Sequence, residues 1–235
     1  MSSRLGYLLA LFVAGSALAL GFVSGQWVMA AIALGVALAL ALGVFVESGP
    51  DSAKEVALIA TLTGIAVAGR LLVHPFPGVQ PMTVIVVASG AAFGLRIGIS
   101  VGALGALVSN FFLIQGPWTP WQMALWAACG AVGALAVRLA RRRLVFALLC
   151  AVLAFGFSTA MDVAYWWYAY AHTWAGLTAQ VIMGFSFTLA HALGSFAIAL
   201  AVGPELVRLL ERFGRRLHTE IVWDETPAPR ESVGG

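Results

Sequence analysis

Long apolar segments separated by short loops constrain the fold of this chain more than any other feature. A helix that crosses the hydrocarbon core of a bilayer needs about 20 mostly apolar residues. Segments close to that length with little or no charge recur eight times, at 5–23, 26–46, 56–73, 81–95, 97–115, 119–137, 144–160 and 174–203. Charged residues make up only 10% of the chain, against about 25% in a soluble domain. The sequence therefore predicts an all-α integral membrane protein.

The basic residues predict how these segments are oriented. Lys and Arg collect in short loops on the cytoplasmic side of a membrane, which places the arginine-rich loop at 138–143 inside the cell. If successive segments cross the membrane in alternating directions, the cytoplasmic side also contains Arg4, Lys54, Arg96 and the region after Arg208. The loops on the opposite side contain no Lys or Arg, and Arg70 alone departs from the pattern. We therefore expect eight spans in the cell membrane with both termini in the cytoplasm.

Two parts of this count have an alternative. Residues 1–19 combine a charged start, an apolar middle and small residues before a cleavage point, which is also typical of a secretory signal peptide. The apolar run continues to Val23, which favours an uncleaved helix. The 81–95 segment is short and could join 97–115, but one long helix would bury Arg96 in mid-membrane. Gly94 and Gly98 favour a turn there instead.

An uncharged turn, Gly-Pro-Trp-Thr-Pro-Trp-Gln at 116–122, lies on the predicted outer side. The indoles of Trp118 and Trp121 suit a membrane interface because each joins an apolar ring to a polar tip, so they would serve either as anchors or as ligand-facing groups. Taken with its flanks at 110–115 and 123–126, this unit resembles the substrate-binding S component of energy-coupling factor (ECF) vitamin transporters.

The resemblance covers residues 53–217 and implies a six-helix substrate-binding membrane core. Residues 1–52, a helix pair with its linker, are additional to that core. The polar segment 218–235 is predicted to be a disordered cytoplasmic tail. The resemblance further implies capture of a vitamin or related nutrient, with the turn most similar to members assigned to cobalamin. Import would be driven by a coupling membrane subunit and two ATPase subunits.

In that family the outer loops after the first, third and fifth core helices surround the substrate. The matching segments here are the proline-rich loop 74–81, the turn with its flanks at 110–122, and the aromatic run 165–168. Each aromatic ring in them could equally be an interfacial anchor. The resemblance implies that the substrate-binding side chains in these segments are His74, Gln80, Asn110, Gln115, Trp118, Trp121, Gln122, Trp166 and Trp167.

Three ionisable residues within or beside the spans complete the candidate site, because such groups are costly in lipid and need a partner or a purpose. Arg70 and Asp162 both lie near outer helix ends and could pair with each other. Arg70 could also extend to the interface or meet a ligand. His191, in the last span, is either a neutral packing residue or a ligand contact.

Two series of small residues predict close helix contacts. Ala60, Gly64 and Ala68 recur every fourth position and form a smooth stripe that lets another helix approach. The stripe would pack within this chain, or it would meet the coupling subunit, as the resemblance implies. A second series, at every fourth position from Gly90 to Ala106, is expected to pack two neighbouring helices together.

The sequence offers little for catalysis. It contains no Gly-rich Lys-Ser/Thr phosphate loop, no His-Glu-x-x-His and no Gly-x-Ser-x-Gly motif. Cys129 and Cys150 lie in separate segments without metal-ligand spacing and are expected to be packing residues. We therefore predict no enzyme activity, no cofactor and no metal, and we attribute the pI of about 9.2 to cytoplasmic arginines rather than to nucleic-acid binding. A structural or signalling membrane module is the competing class.

Overall fold

A computed structural model describes residues 52–169 and 172–217, together with the single positions Ser16 and Ala33. The predicted N-terminal helix pair and the predicted disordered tail lie outside these described residues. Within them the chain is helical apart from short connections, and no strand occurs. The prediction of an all-α fold is confirmed for this part of the chain.

Six long helices and one short one follow each other along the two described ranges. They are α1 (Ser52–Leu72), α2 (Pro81–Phe93), α3 (Leu95–Leu113), α4 (Thr119–Leu135), α5 (Val137–Ala140), α6 (Arg143–Ala169) and α7 (Trp174–Leu217). The six long helices start at or near the starts of the last six predicted segments. Four of them, α1, α3, α6 and α7, are long and apolar enough to cross a membrane, as expected for a membrane protein.

The chain reverses direction between α2 and α3 at a single glycine. Gly94 adopts φ 88°, a conformation that few residues other than glycine reach. A Cβ added at Gly98 would lie 2.7 Å from the Cα of Gly90, so the two helices pack as a tight hairpin. The predicted turn next to Arg96 is confirmed, and it leaves that arginine at the end of the hairpin.

Glycines bring α4 into direct backbone contact with this hairpin. A Cβ at Gly130 would lie 2.1 Å from the carbonyl oxygen of Gly98, and one at Gly90 would lie 2.0 Å from the carbonyl oxygen of Gly130. A side chain at any of these positions would push the helices apart. The second small-residue series therefore packs neighbouring helices, as its spacing predicted.

Ion pairs gather at one end of the bundle. Arg96 pairs with Glu55 at 2.5 Å, which joins the α2–α3 turn to the first turn of α1. Arg143, at the start of α6, pairs with Glu205 in the later part of α7. We name this the basic end. The opposite end of the bundle is consequently formed by the last turn of α1, the end of α3, the start of α4 and the facing parts of α6 and α7.

Candidate functional site

A cavity of about 740 Å³ lies at the end of the bundle opposite the basic end. Its walls come from the end of α1 and the following loop, the end of α3, the start of α4, the second half of α6 and the first half of α7. The sequence-predicted substrate residues that line it are Arg70, His74, Gln80, Asn110, Trp118, Gln122 and Asp162. The other five, Gln115, Trp121, Trp166, Trp167 and His191, lie outside its lining.

Arg70 is buried in the cavity wall rather than extended to the interface, since only 9% of it is exposed. Its Nη1 donates hydrogen bonds to Ser109 Oγ and to Asn110 Oδ1 at 3.0 Å. Its Cζ lies 4.7 Å from the ring centroid of Trp126, a distance at which a cation is attracted to an aromatic face. Across the described residues Arg70 forms no ion pair, so the pairing with Asp162 suggested by their charges is not present.

Asn110 ties α3 to the turn that precedes α4. Its Nδ2 donates to Thr119 Oγ1 at 3.0 Å and to Gln122 Oε1 at 2.8 Å. Thr119 in turn donates to Gln115 Oε1 at 2.8 Å, and Gln115 Nε2 donates to the Leu107 carbonyl. Gln115 therefore holds the turn in place without lining the cavity.

The chain leaves α3 through a strained residue. Ile114 has φ 76°, a region that β-branched side chains rarely adopt. Its side chain is largely exposed, so burial of that side chain does not account for the conformation. The hydrogen bonds made by Gln115 and Thr119 stabilise this strained backbone conformation where the turn begins.

The two tryptophans of the turn have different surroundings. The Trp118 ring lines the cavity and folds back over Gly116, where an added Cβ would lie 2.4 Å from the indole. Trp121 instead packs against Trp167, with their ring centroids 5.5 Å apart. Trp166 donates its indole N–H to the Thr173 carbonyl at 3.2 Å. Trp118 is therefore the indole placed to contact a bound molecule.

One face of α6 supplies cavity side chains that are not among the predicted substrate-binding residues, although two of them belong to the aromatic run 165–168. Ser158, Tyr165 and Tyr168 line the cavity with Asp162 because they lie about one helical turn apart. That spacing, counted from Asp162, was the signal available in the sequence. The aromatic run had drawn attention to Trp166 and Trp167 instead.

Asp162 is held against α7. Its Oδ1 accepts a hydrogen bond of 3.0 Å from Gln180 Nε2, and a Cβ at Gly184 would lie 2.3 Å from the same oxygen. Gln180, Gly184 and Thr188 recur every fourth residue along α7 and all line the cavity. The missing side chain at Gly184 lets α7 approach the carboxylate closely.

His191 lies within the bundle, fully buried. Its Nε2 is 2.8 Å from Thr83 Oγ1 and its Nδ1 is 2.9 Å from Ser158 Oγ, so both ring nitrogens have a partner. Thr83 also accepts a hydrogen bond from Trp126 Nε1 at 3.1 Å. These contacts match the packing interpretation of His191 rather than a direct ligand contact.

The proline-rich loop forms an edge of the cavity and is fixed to α7. Gly78 has φ 84°, and a Cβ there would lie 2.6 Å from the Ala190 side chain. The loop therefore needs glycine at this position both for its backbone conformation and for its contact with α7. His74 and Gln80, on either side of it, both line the cavity.

The small-residue stripe of α1 remains exposed. Ala60, Gly64 and Ala68 all lie on the surface of the bundle, and none of the other helices that the structure describes comes within 4 Å of a Cβ built at Gly64. The stripe is thus unlike the glycines of the α2–α3 hairpin, which are packed against α4.

Within the described ranges, no group of three or more His, Cys, Asp or Glu side chains could hold a metal ion. Cys129 and Cys150 are both free thiols buried in the core. The cavity lining itself contains hydrogen-bonding, charged and aromatic side chains.

The sequence pattern of DUF6580, a family of unknown function, matches residues 50–212. Searches of curated proteins and of solved structures found no match. The matched range begins just before α1 and ends near the end of α7, and it contains every residue that lines the cavity.

Proposed function

We propose that this chain, which belongs to the DUF6580 family, captures a small organic nutrient at the outer face of the cell membrane. The observation that carries the proposal is the cavity with a buried guanidinium in its wall. Its volume of about 740 Å³ falls within the range of about 300–1,000 Å³ typical of small-molecule sites. An ionisable group within a membrane span is costly and usually marks a functional site, and Arg70 lies in the wall of that cavity.

The charge distribution supports an outward-facing cavity. The basic end carries Arg96, Arg141, Arg143 and Arg208, paired with acidic partners or placed beside them, and such residues favour the cytoplasmic side. We therefore propose that all six long helices span the membrane, with two more spans before residue 52. Both termini would then lie in the cytoplasm.

The substrate is proposed to be a vitamin or a related nutrient. Aromatic rings from Trp118, Phe157, Tyr165, Tyr168 and Phe187 line the cavity and would pack against a ring system. The volume suits a drug-sized molecule, which favours a smaller nutrient over cobalamin. A corrinoid macrocycle would need a wider cavity.

Import would depend on partner subunits, and the resemblance to ECF transporters suggests which ones. The sequence has no phosphate-binding loop, so we propose that two ATPase subunits supply energy through a coupling membrane subunit. The exposed stripe of Ala60, Gly64 and Ala68 is suited to close contact with a helix of that subunit. In this arrangement the chain itself binds and carries substrate without catalysing a reaction.

A thermal-shift screen of the purified chain against vitamins tests the capture function. A ligand present at 100 times its dissociation constant stabilises the native state by about 2.7 kcal/mol. We expect at least one vitamin to raise the melting temperature in a concentration-dependent way. If no vitamin does so while a membrane partner still binds through the stripe, the chain is a structural or signalling module instead.

A further inference from the structure

Arg70 has hydrogen-bonding capacity left over after its contacts within the protein. A guanidinium has five N–H donors, and Nη1 uses two of them on Ser109 and Asn110. The donors on Nε and Nη2 have no hydrogen-bond partner among the residues that the structure describes. No carboxylate in that part of the chain lies within ion-pair distance of Arg70. A buried charge in this position calls for an anion from elsewhere.

Asp162, which also lines this cavity, is a charged group of the opposite sign. Its carboxylate accepts one hydrogen bond, from the uncharged Gln180, and across 52–169 and 172–217 it has no ion-pair partner. Both Asp162 and Arg70 line the cavity, yet they do not pair. Opposite charges in a medium of low dielectric attract strongly, so the protein must hold these two apart.

Separate supports keep the two groups in place. Arg70, on α1, is fixed by Ser109 and Asn110 of α3 and by the face of Trp126 on α4. Asp162, on α6, is fixed by Gln180 and by the close approach of Gly184, both on α7. The two charges are therefore held by different helices, and both line the cavity.

We propose that the ligand is a zwitterion whose anionic group binds Arg70 and whose ammonium group binds Asp162. This inference rests on the proposed capture function and specifies its substrate class. A guanidinium suits a carboxylate or phosphate because its N–H groups donate in parallel, and a carboxylate suits an ammonium. A ligand carrying both charges neutralises both subsites at once, and its apolar body would lie against the aromatic rings that line the cavity.

A matched panel of small molecules tests this assignment. The parent compounds are L-tryptophan, L-phenylalanine and the dipeptide Phe-Trp. Each parent is compared with its N-acetyl derivative, which lacks the ammonium, and with its C-terminal amide, which lacks the carboxylate. We expect at least one parent compound to raise the melting temperature of the purified chain. Each of its two derivatives should bind at least about tenfold more weakly, because each lacks one of the two charge-assisted interactions.

Two variants assign the charges to their residues. Arg70→Gln should abolish the preference for the zwitterion over its amide while keeping the preference over the N-acetyl derivative. Asp162→Asn should abolish the preference over the N-acetyl derivative while keeping the preference over the amide. Each result is a ratio of two affinities measured on one folded variant, so a general loss of stability would not produce it. Arg208→Gln, at the basic end, should keep both preferences.

A short-chain phosphatidylethanolamine, added to delipidated protein, separates a soluble nutrient from a lipid headgroup with the same two charges. Suppose that this lipid binds more tightly than forms of it that lack either the ammonium or the phosphate charge, and that no soluble zwitterion binds. The charge assignment then stands and nutrient capture fails. If a vitamin or a singly charged derivative binds and no zwitterion does, the zwitterion assignment is wrong and capture stands. If no compound of any charge binds, both proposals are wrong.

Discussion

The Arg70 guanidinium lies over the indole of Trp126, with Cζ 4.7 Å from the ring centroid. The same indole donates to Thr83, Thr83 contacts His191, and His191 contacts Ser158 in the cavity wall. A continuous set of polar contacts therefore runs beneath the cavity and joins α1, α4, α2, α7 and α6. Because each of these groups is buried, the network should contribute to stability as well as to the shape of the site.

Replacing the indole at the centre of this network should destabilise the protein. Trp126→Phe removes the Nε1–H donor to Thr83 and weakens the interaction with Arg70. We expect the free energy of unfolding to fall by about 1–3 kcal/mol, measured as a lower melting temperature in detergent. Trp121→Phe is the matched control, because Trp121 makes a ring contact with Trp167 and its indole nitrogen has no hydrogen-bond partner in the described ranges. Equal losses in the two variants would contradict a role for the network.

The glycine contacts between α4 and the α2–α3 hairpin predict a second difference in stability. Gly130→Ala places a Cβ 2.1 Å from the Gly98 carbonyl oxygen, and overpacking of this kind typically costs about 1–3 kcal/mol or more. In Gly156→Ala the new Cβ lies more than 4 Å from every other helix in the described part of the chain, and the variant should be neutral or gain up to about 1 kcal/mol in helix propensity. Thermal unfolding of both variants checks the prediction, and a Gly130→Ala variant as stable as the parent would rule out this packing.

Much of the helical layout was predictable because apolar length and glycine spacing are local signals. Residues 81–95 and 97–115 indicated two helices, and Gly94 marked the break between them, which its φ of 88° confirms. Local signals failed where side chains from distant helices meet. Opposite charge suggested a pair between Arg70 and Asp162, but the partners of Arg70 are the neutral Ser109 and Asn110, which lie on α3.

The two tryptophans of the turn show the same limit of local sequence signals, although they lie close together in the chain. Trp118 and Trp121 are three residues apart and equally suited to an interface, yet one lines the cavity and the other packs against Trp167. Which ring faces inward depends on the direction in which α4 starts. That direction is set by hydrogen bonds from Asn110 on α3, a contact between helices that composition alone does not reveal.

Membrane topology can be tested with engineered cysteines, because both native cysteines are buried. Pro75, in the loop at the cavity edge, and Arg142, at the basic end, are both exposed. A membrane-impermeant maleimide should label Pro75→Cys on intact cells, whereas Arg142→Cys should react only after the membrane is opened. The native chain serves as the background control. Labelling of position 142 from outside would reverse the proposed orientation.

Because the small-residue stripe on α1 is exposed, we expect a substitution in it to weaken partner binding without destabilising the fold. In Gly64→Leu the new Cβ has no neighbour within 4 Å among the other described helices, so the melting temperature of the isolated chain should stay within about 2 °C of the parent, as for most surface substitutions. The added side chain should hold a partner helix away and abolish co-purification with the coupling subunit proposed above. Gly156→Leu, on the exposed surface of α6, is the control that should keep the partner. Unfolding of Gly64→Leu would instead show that the stripe packs within this chain.

The two tryptophans of the turn allow a direct test of the cavity as the binding site. Trp118 lines the cavity and Trp121 does not, although they lie on the same turn and have the same side chain. Trp118→Ala should weaken binding of a ligand found in the vitamin screen by at least about tenfold, since a buried aromatic contact often contributes about 2 kcal/mol or more and 1.4 kcal/mol is one decade in affinity.

Trp121→Ala should change the affinity by less than about threefold, because Trp121 packs against Trp167 and lies outside the cavity lining. Titration calorimetry on both variants, restricted to protein that elutes as a single folded species, measures the difference. Equal binding by the two variants and the parent would make both indoles interfacial anchors. A larger loss at Trp121 would place the ligand on the Trp121–Trp167 face, outside the cavity.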